Sequence, residues 1–468
     1  MCPAKRAAPD RLARIRELNR DGDRSVLVID DDPTGSQTVH GVRLITDATD
    51  TELVAAAAAR GGELTFVLTN SRAFEARDAR AINYCVGAAA LGGPHPDRVL
   101  LVSRGDSTLR GHVIDEVDAL DQARLATTGR ASDLTVFCPA FVEVGRITVD
   151  DVHYVVDGGS RVPVAETPFA RDPAFGFASS NLADFLRERA GDDALQVVSI
   201  SLDDVRGGGE QRVQQRLNDA PRGAWVVLNA ETPEDIEVLA EGICLAAGDR
   251  PGMIVRSGPS LVRALAGQET SAPLTPATLS SFVRAEHGLV VVGSHVPLTT
   301  SQLDHLREHG GVNVVEVDVM TLLSSAHQRY QAELVDAAVA ALEDRDVVLA
   351  TSRAVELPIG GELLASRTVA SRLADVVAAI ARRSALGWVI GKGGITSHVT
   401  AVEGLGIGEG TVAGQFFSGQ VSALVDLEPA RGDGVDLFVI FPGNVGAADS
   451  LTRVVEILRD SQQIRGTA

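Results

Sequence analysis

Short apolar runs rich in β-branched residues recur along the chain, separated by longer stretches with helical spacing. The first half carries Ser25–Ile29, Leu64–Leu68, Arg98–Val102, Leu134–Phe137, Gln196–Ile200, Ala224–Leu228 and Met253–Val255. The second half carries Leu289–Val292, Val312–Val319, Asp346–Leu349, Gly387–Ile390 and Asp436–Phe441. Within these runs the apolar residues are continuous rather than alternating, the pattern of strands covered on both faces. Thr51–Arg60, Ala76–Ala90 and Val369–Ser384 read as helices. Strand–helix alternation over this length predicts an α/β protein with mainly parallel sheets flanked by helices. The stretch 266–287, rich in Ser, Thr and Pro, interrupts the pattern and reads as a linker, so two domains are expected, 1–285 and 286–468. Thr148–Phe177, with prolines and glycines in short order, reads as an irregular excursion suited to covering a substrate.

Composition narrows the classes. The chain has 468 residues, which at about 100–200 per domain fits a small number of domains. Its 43 basic and 63 acidic residues give a formal charge of −20. Such a surface repels phosphate backbones and anionic lipid, so neither nucleic acid nor membrane is an expected partner. No apolar run reaches the length of a bilayer-spanning helix, and the charged N-terminus has no apolar signal region. The cysteines Cys2, Cys85, Cys138 and Cys244 are scattered without a C-x-x-C, which fits a reducing cytoplasm and argues against a disulfide scaffold. Lysine occurs only at Lys5 and Lys392. An assembly of identical chains is compatible with the sequence.

Ligands of open parallel sheets bind beyond the carboxyl ends of the strands, so the residues there carry the chemistry. After the first four strong runs come Asp30-Asp31-Asp32-Pro33-Thr34-Gly35-Ser36, then Thr69-Asn70-Ser71-Arg72, then Ser103-Arg104-Gly105-Asp106-Ser107-Thr108-Leu109-Arg110-Gly111, then Cys138-Pro139-Ala140-Phe141 with Gly145-Arg146. Turn chemistry accounts for the Gly, Ser, Asp and Asn. It does not account for Arg72, Arg104, Arg110 and Arg146 at successive strand ends of an acidic chain. A guanidinium fork suits a carboxylate or phosphate, and the alternative is that each arginine pairs with a neighbouring aspartate. The triple aspartate has several readings. Asp30-x-Asp32-x-Thr34 fits the nucleophile pattern of haloacid-dehalogenase-like phosphatases, although the usual later lysine is missing from the body of this half. Asp31 or Asp32 as general base or magnesium ligand is another; helix capping is a third.

The second half offers glycine turns after strands: Gly293-Ser294-His295, then Gly391-Lys392-Gly393-Gly394-Ile395-Thr396-Ser397 before a helix, then Pro442-Gly443-Asn444-Val445-Gly446. Glycines let main-chain N–H groups approach a phosphate, and Lys392 adds a mobile cation. Neither a Walker loop nor a G-x-G-x-x-G fingerprint is present, and 404–410 only imitates one. His305-x-x-Glu308-His309 matches a zinc-protease string but sits in a charged segment that reads as an exposed helix. His112 and His398 lie beside the glycine-bearing loops.

In these residues the chain resembles the four-carbon acid sugar kinase family over nearly its whole length. The resemblance rests on Asp31–Gly35, Asn70–Arg72, Asp106–Gly111, Cys138–Phe141 with Gly145-Arg146, Gly293-Ser294, Gly393–Ser397 and Pro442–Gly446. It departs at Pro33, at Arg104-Gly105 where a lysine is common, and at Ile395 where a glutamate is common. The resemblance implies ATP-dependent phosphorylation of a hydroxyl on a small sugar acid, with Mg2+, in a cleft between an acid-binding N-terminal domain and an ATP-binding C-terminal domain. It implies Asp106 or Asp32 as proton acceptor, and Asp31, Asn70, Ser71, Arg72, Ser107, Thr108, Arg110 and Arg146 around the acid. Gly293, Ser294, Lys392, Gly393, Gly394, Thr396, Ser397, Gly443, Asn444 and Gly446 would hold ATP. The rivals are the aspartyl-nucleophile phosphatase using Asp30 and Asp32, and a non-catalytic two-lobe ligand sensor.

Overall fold

A computed structural model describes residues 10–32, 35–353, 362–417, 420–426 and 435–466; Pro33 and Thr34 of the first motif lie outside the described residues. The chain separates into two compact units at Thr270/Ser271, inside the linker-like stretch.

The first unit contains strands β1 (Ser25–Asp30), β2 (Arg43–Ile45), β3 (Leu64–Leu68), β4 (Val99–Arg104), β5 (Thr135–Cys138), β6 (Arg146–Val149), β7 (Val152–Asp157), β8 (Ser160–Pro163), β9 (Val197–Ile200), β10 (Trp225–Leu228) and β11 (Ile254–Ser257). Its main sheet runs β2-β3-β1-β4-β11-β5-β10-β9, and every pairing is parallel. All six residues of β1 are buried, as expected of a strand with both faces covered. The apolar core on one side joins Leu27, Ile29, Val67, Leu101 and Ile254 to Val86 and Leu120 of the helices Ala76–Leu91 and Val113–Thr128. The order reverses at β1: the chain goes to β3 on one side and then to β4 on the other, leaving a crevice at the carboxyl ends.

The stretch Thr148–Phe177 is not irregular throughout. It begins with the antiparallel meander β6-β7-β8. Asp150-Asp151 and Gly158-Gly159, all at positive φ, form its two-residue turns, the geometry that matches hairpin twist. Short turns over Val164–Arg171 then carry Phe169, and Asp172 follows them.

The second unit contains β12 (Gly288–Val292), β13 (Asn313–Val317), β14 (Val347–Thr351), β15 (Trp388–Lys392), β16 (Glu409–Phe417), β17 (Gln420–Asp426) and β18 (Phe438–Phe441). The strands β13-β14-β12-β15-β18 pair in parallel, and β18-β17-β16 continue antiparallel. The expected strand Val312–Val319 stops at Val317, because Asp318 caps a short helix by accepting from Thr321 N. Here the order reverses between β12 and β15, so the second crevice lies where Gly293 and Gly393 follow their strands.

Candidate active site

At the first crevice the strand tips carry an interlocked set of carboxylates and guanidiniums. Asp31 is buried against Arg72, which reaches it with Nη2 and, at 3.3 Å, with Nε. The same guanidinium donates through Nη1 to Asp32 Oδ2 at 2.9 Å. Burial works against the Arg72 cation, but Asp31 and Asp32 outweigh it and hold it firmly charged. Asn70, just before, sits in the left-handed region at φ 52°, and Ser71 donates to Glu116 Oε1 at 2.5 Å. Left-handed Asn is a common device for a tight turn out of a strand.

The D-S-T-L-R-G loop follows β4. Asp106 Oδ2 accepts from Thr108 and, at 2.7 Å, from Arg110 Nε. Burial alone would raise the Asp106 carboxyl; the charges of Arg72 and Arg110 reverse this and hold it well below the usual range. Leu109 (φ 69°) is left-handed and buried, a strain of the kind found at functional loops. Gly111 closes the loop at φ 110°, and a Cβ there would stand 2.9 Å from Asp31 Oδ2. That accounts for glycine at this place: no other residue allows the turn and the close carboxylate together. Ser107 offers its carbonyl to His153 Nε2 at 2.8 Å, and the other ring nitrogen meets Thr148 Oγ1 at 2.9 Å. Burial pushes the His153 pKa down to about 4, so the ring is neutral and acts as a strut from the meander to the loop.

Three of the four strand-end arginines therefore have a carboxylate partner: Arg72 with Asp31 and Asp32, Arg104 with Asp30 at 3.2 Å, and Arg110 with Asp106. Arg146 differs. Its Nη1 donates to Val144 O at 2.9 Å, its buried Nε has no partner, and no carboxylate lies within ion-pair distance among the described residues. Burial lowers its pKa, the mark of a cation short of compensation. Its guanidinium lies 5.9 Å from the centre of the Phe169 ring, and that of Arg110 lies 5.2 Å from it.

Two residues that strand-end reading missed tie the cluster together. Arg256, in β11, donates to Ser103 Oγ at 2.6 Å and to Glu116, and lies 3.5 Å from Asp31 Oδ2. A Cβ at Gly105 would collide with this guanidinium. The sequence signal was present: Arg256 directly follows the run Met253–Val255, and the strand itself extends through it to Ser257.

Asp30 does not suit the nucleophile role of the phosphatase reading. It is completely buried, paired with Arg104, and covered by Gly35, where a Cβ would overlap its carboxylate. Burial raises its pKa to about 7. A nucleophile must be reachable by phosphorus and ionised, and this one fails the first condition.

The second crevice holds a cavity of about 610 Å3. One wall is the main chain and small side chains of Gly293, Ser294, Gly393, Gly394, Thr396, Gly443 and Asn444. The other is apolar: Val319, Val369, Ala370 and Leu373. Gly393 (φ 108°) brings the β15 turn against Ser294, and nothing crowds Gly394. Thr299 Oγ1 donates to Gly443 O at 2.8 Å, and Gln302 Nε2 donates to Val445 O and Ala447 O, both at 2.9 Å. These bonds fix the third turn from behind. Glycine turns and apolar helix residues lining one cavity suit a purine with a phosphate tail. Lys392 corrects an expectation. It is not a mobile cation; it is fully buried, donates to the carbonyls of Pro442 and Gly443, and lies 4.1 Å from the Phe441 ring centre. Burial lowers its pKa to about 7. Ser397 likewise turns back, to Gly391 O at 2.6 Å, and Gly446 packs on Ser450. These three support the turns and do not line the cavity described.

His305 Nδ1 meets Thr452 Oγ1 at 2.8 Å, His309 stacks on it, and among the described residues no group of three or more His, Cys, Asp or Glu is placed to hold a metal. His112 meets Phe74 O at 2.9 Å as a core residue. No helix among the described residues is long and apolar enough to cross a membrane.

An anion-handling α/β unit followed by an α/β unit with an amide-walled cavity is the make-up of a small-molecule kinase. The chain belongs to the four-carbon acid sugar kinase family: residues 26–265 match its sugar-binding N-terminal domain and residues 289–451 its nucleotide-binding C-terminal domain. It is 30% identical over 343 residues to D-threonate kinase of Salmonella typhimurium, covering 71% of this chain and 72% of that protein. It is also 30% identical over 333 residues to D-erythronate kinase of Heliobacterium modesticaldum, covering 68% and 69%. A solved Haemophilus influenzae structure shares the fold, with TM-score 0.63 at 19% identity over 94% of this chain and 100% of that one.

Proposed function

We propose that this protein transfers the terminal phosphoryl group of ATP to a hydroxyl of a four-carbon sugar acid of the threonate or erythronate type. The observation that carries the reading is the two-walled cavity of the second unit, in a chain whose first unit presents Asp106 and Arg146 at its own crevice. Phosphoryl transfer asks little covalent chemistry of a protein; positioning and charge neutralisation do most of the work. Asp106 accepts the hydroxyl proton. Its Oδ2 is occupied by Thr108 and Arg110, and Oδ1, which makes no hydrogen bond among the described residues, is left for the substrate. Arg146 takes the acid's carboxylate, being the strand-end guanidinium without an internal carboxylate. Arg72, Asp31 and Asp32 then set the shape and charge of the crevice, and the buried Asn70, Ser71, Ser107 and Thr108 support it from within, Ser71 through Glu116 and Thr108 through Asp106.

ATP lies with its base on Val319, Val369 and Leu373 and its phosphates on the amides of Gly293, Ser294, Gly393, Gly394 and Gly443. Mg2+ would supply charge neutralisation to the phosphates, and such an ion would need no dedicated protein cage, since it usually keeps several waters. The acid and the triphosphate must meet with bulk water excluded, or water would take the phosphoryl group. Cys85, Cys138 and Cys244 are free thiols, which suits work in the cytoplasm.

A coupled assay for ADP release over a panel of four-carbon acids tests this. Acid-dependent release is expected with at least one threonate or erythronate isomer. Binding of acid and nucleotide without release would make the protein a sensor; phosphoester hydrolysis without ATP would make it a phosphatase.

A further inference from the structure

We propose that Arg353 is the cation that grips the nucleotide's outer phosphates, a role that rests on the kinase reading above. Arg353 follows β14, the strand beside β12, and lines the same cavity as Ser294, Gly394 and Asn444. No carboxylate lies among the described residues that line it. Arg353 is the lining residue with a permanent charge, whereas Lys392 is turned away beneath the third turn.

Its geometry is fixed in advance. Nε donates to Thr351 O at 2.9 Å, Nη2 to Thr351 Oγ1 at 2.8 Å and to Val292 O at 3.4 Å, and Nη1 to Ser294 O. A guanidinium has five N–H donors, so these bonds leave one, on Nη1, without an acceptor among the described residues. Every one of those partners is a neutral oxygen. The positive charge is therefore held in place but not cancelled; among the described residues no carboxylate comes within ion-pair distance of it. An arginine that is half-buried, rigid and uncompensated, at the edge of an amide-walled cavity, is matched by an anion with oxygens, which a nucleoside di- or triphosphate supplies. Its bond to Ser294 O also sets the first glycine turn, so the cation and the amides act on the same end of the ligand. Burial, together with the distant Arg307, pulls the Arg353 pKa down, consistent with a charge awaiting a counter-ion.

Calorimetric titration of the full-length protein with ADP, AMP and adenosine tests the assignment, with Arg353→Gln and Arg353→Lys beside wild type. Arg353→Gln is expected to weaken ADP about ten- to hundredfold, the range of a lost charge-assisted hydrogen bond, and adenosine by less than about threefold. Arg353→Lys keeps charge without the fork and is expected to fall between. A purely structural role would lower ADP and adenosine affinity together, and that result overturns the proposal, as does unchanged ADP affinity in Arg353→Gln. If Arg353→Gln melts early, the ADP-to-adenosine ratio in Arg353→Lys decides by the same criteria. Wild-type protein that binds neither ADP nor ATP removes the kinase reading and this proposal together; wild type that binds ADP beside an unaffected variant removes this proposal alone.

Discussion

Arg110 Nε donates to Asp106 Oδ2 at 2.7 Å, and this one bond occupies half of the carboxylate while leaving the other half open. Together with the charge of Arg72 it keeps Asp106 ionised, with a pKa driven below the ordinary range. A carboxylate so stabilised is a weak base, adequate in a transfer where the hydroxyl proton leaves late. Asp106→Asn should therefore lower kcat by about 100-fold or more, the usual worth of a positioned proton acceptor, with ADP affinity unchanged. Steady-state rates and calorimetry check it; near-normal turnover would remove Asp106 from the chemistry.

Arg146→Gln should raise KM for the acid by about ten- to hundredfold, while KM for ATP stays within a factor of about two. The control is the matching polyol, which has no carboxylate: wild type and variant should use it equally poorly. If the variant loses both substrates in proportion, Arg146 shapes the loop and does not read the charge.

Arg256 makes the opposite case. It is buried with Glu116 and beside Asp31, so Arg256→Leu strands Glu116, leaves Asp31 to Arg72 alone, and should cost about 3–5 kcal/mol of stability in urea unfolding. Arg146→Gln, with no such partner, should cost far less. Similar losses in both would contradict the division between structural and ligand-facing arginines.

Two buried groups of the first unit titrate with opposite effect. His153 has a folded pKa of about 4 against an ordinary 6.5, so unfolding takes up a proton between those values. Its contribution is intact above pH 6.5 and drains away as pH falls toward 4. Asp30 titrates at about 7 against 3.8, so it is protonated first in the folded state and adds stability on acidification through that interval. Each effect is on the order of 3–4 kcal/mol, and they oppose one another across most of the window. Asp30→Asn removes the second. Its stability should fall with acid more steeply than that of wild type, and parallel curves would refute the assignment of buried charge to Asp30.

The strands were legible where both faces are covered, because a run such as Ser25–Ile29 has no solvent side to interrupt it. The pair β16 and β17 went unread for the converse reason. Glu409–Phe417 alternates between covered and half-exposed positions and contains Gly410 and Gly414, so it offers no continuous apolar run. The meander β6-β7-β8 was hidden by the prolines and glycines of its neighbourhood, although its two-residue turns were written in Asp150-Asp151 and Gly158-Gly159. In the candidate site, strand-end loops were visible as motifs, but partner choice was not. Nothing near Arg256 in the sequence names Glu116; the register of β11 beside β4 sets Arg256 opposite Ser103, and the helix Val113–Thr128 brings Glu116 to it. The same holds for Lys392: a lysine between glycines suggests a phosphate contact until the fold shows Pro442 and Gly443 carbonyls closer to hand.

Because Lys392 is sealed inside β15 and Lys5 is the chain's other lysine, the body of the protein offers a lysine-specific protease a single peptide bond, and that bond is out of reach while the sheet holds. Cleavage after residue 392 therefore acts as a built-in clock for the opening of the second unit. Nucleotide that settles in the neighbouring cavity should slow that clock without any label having to be attached.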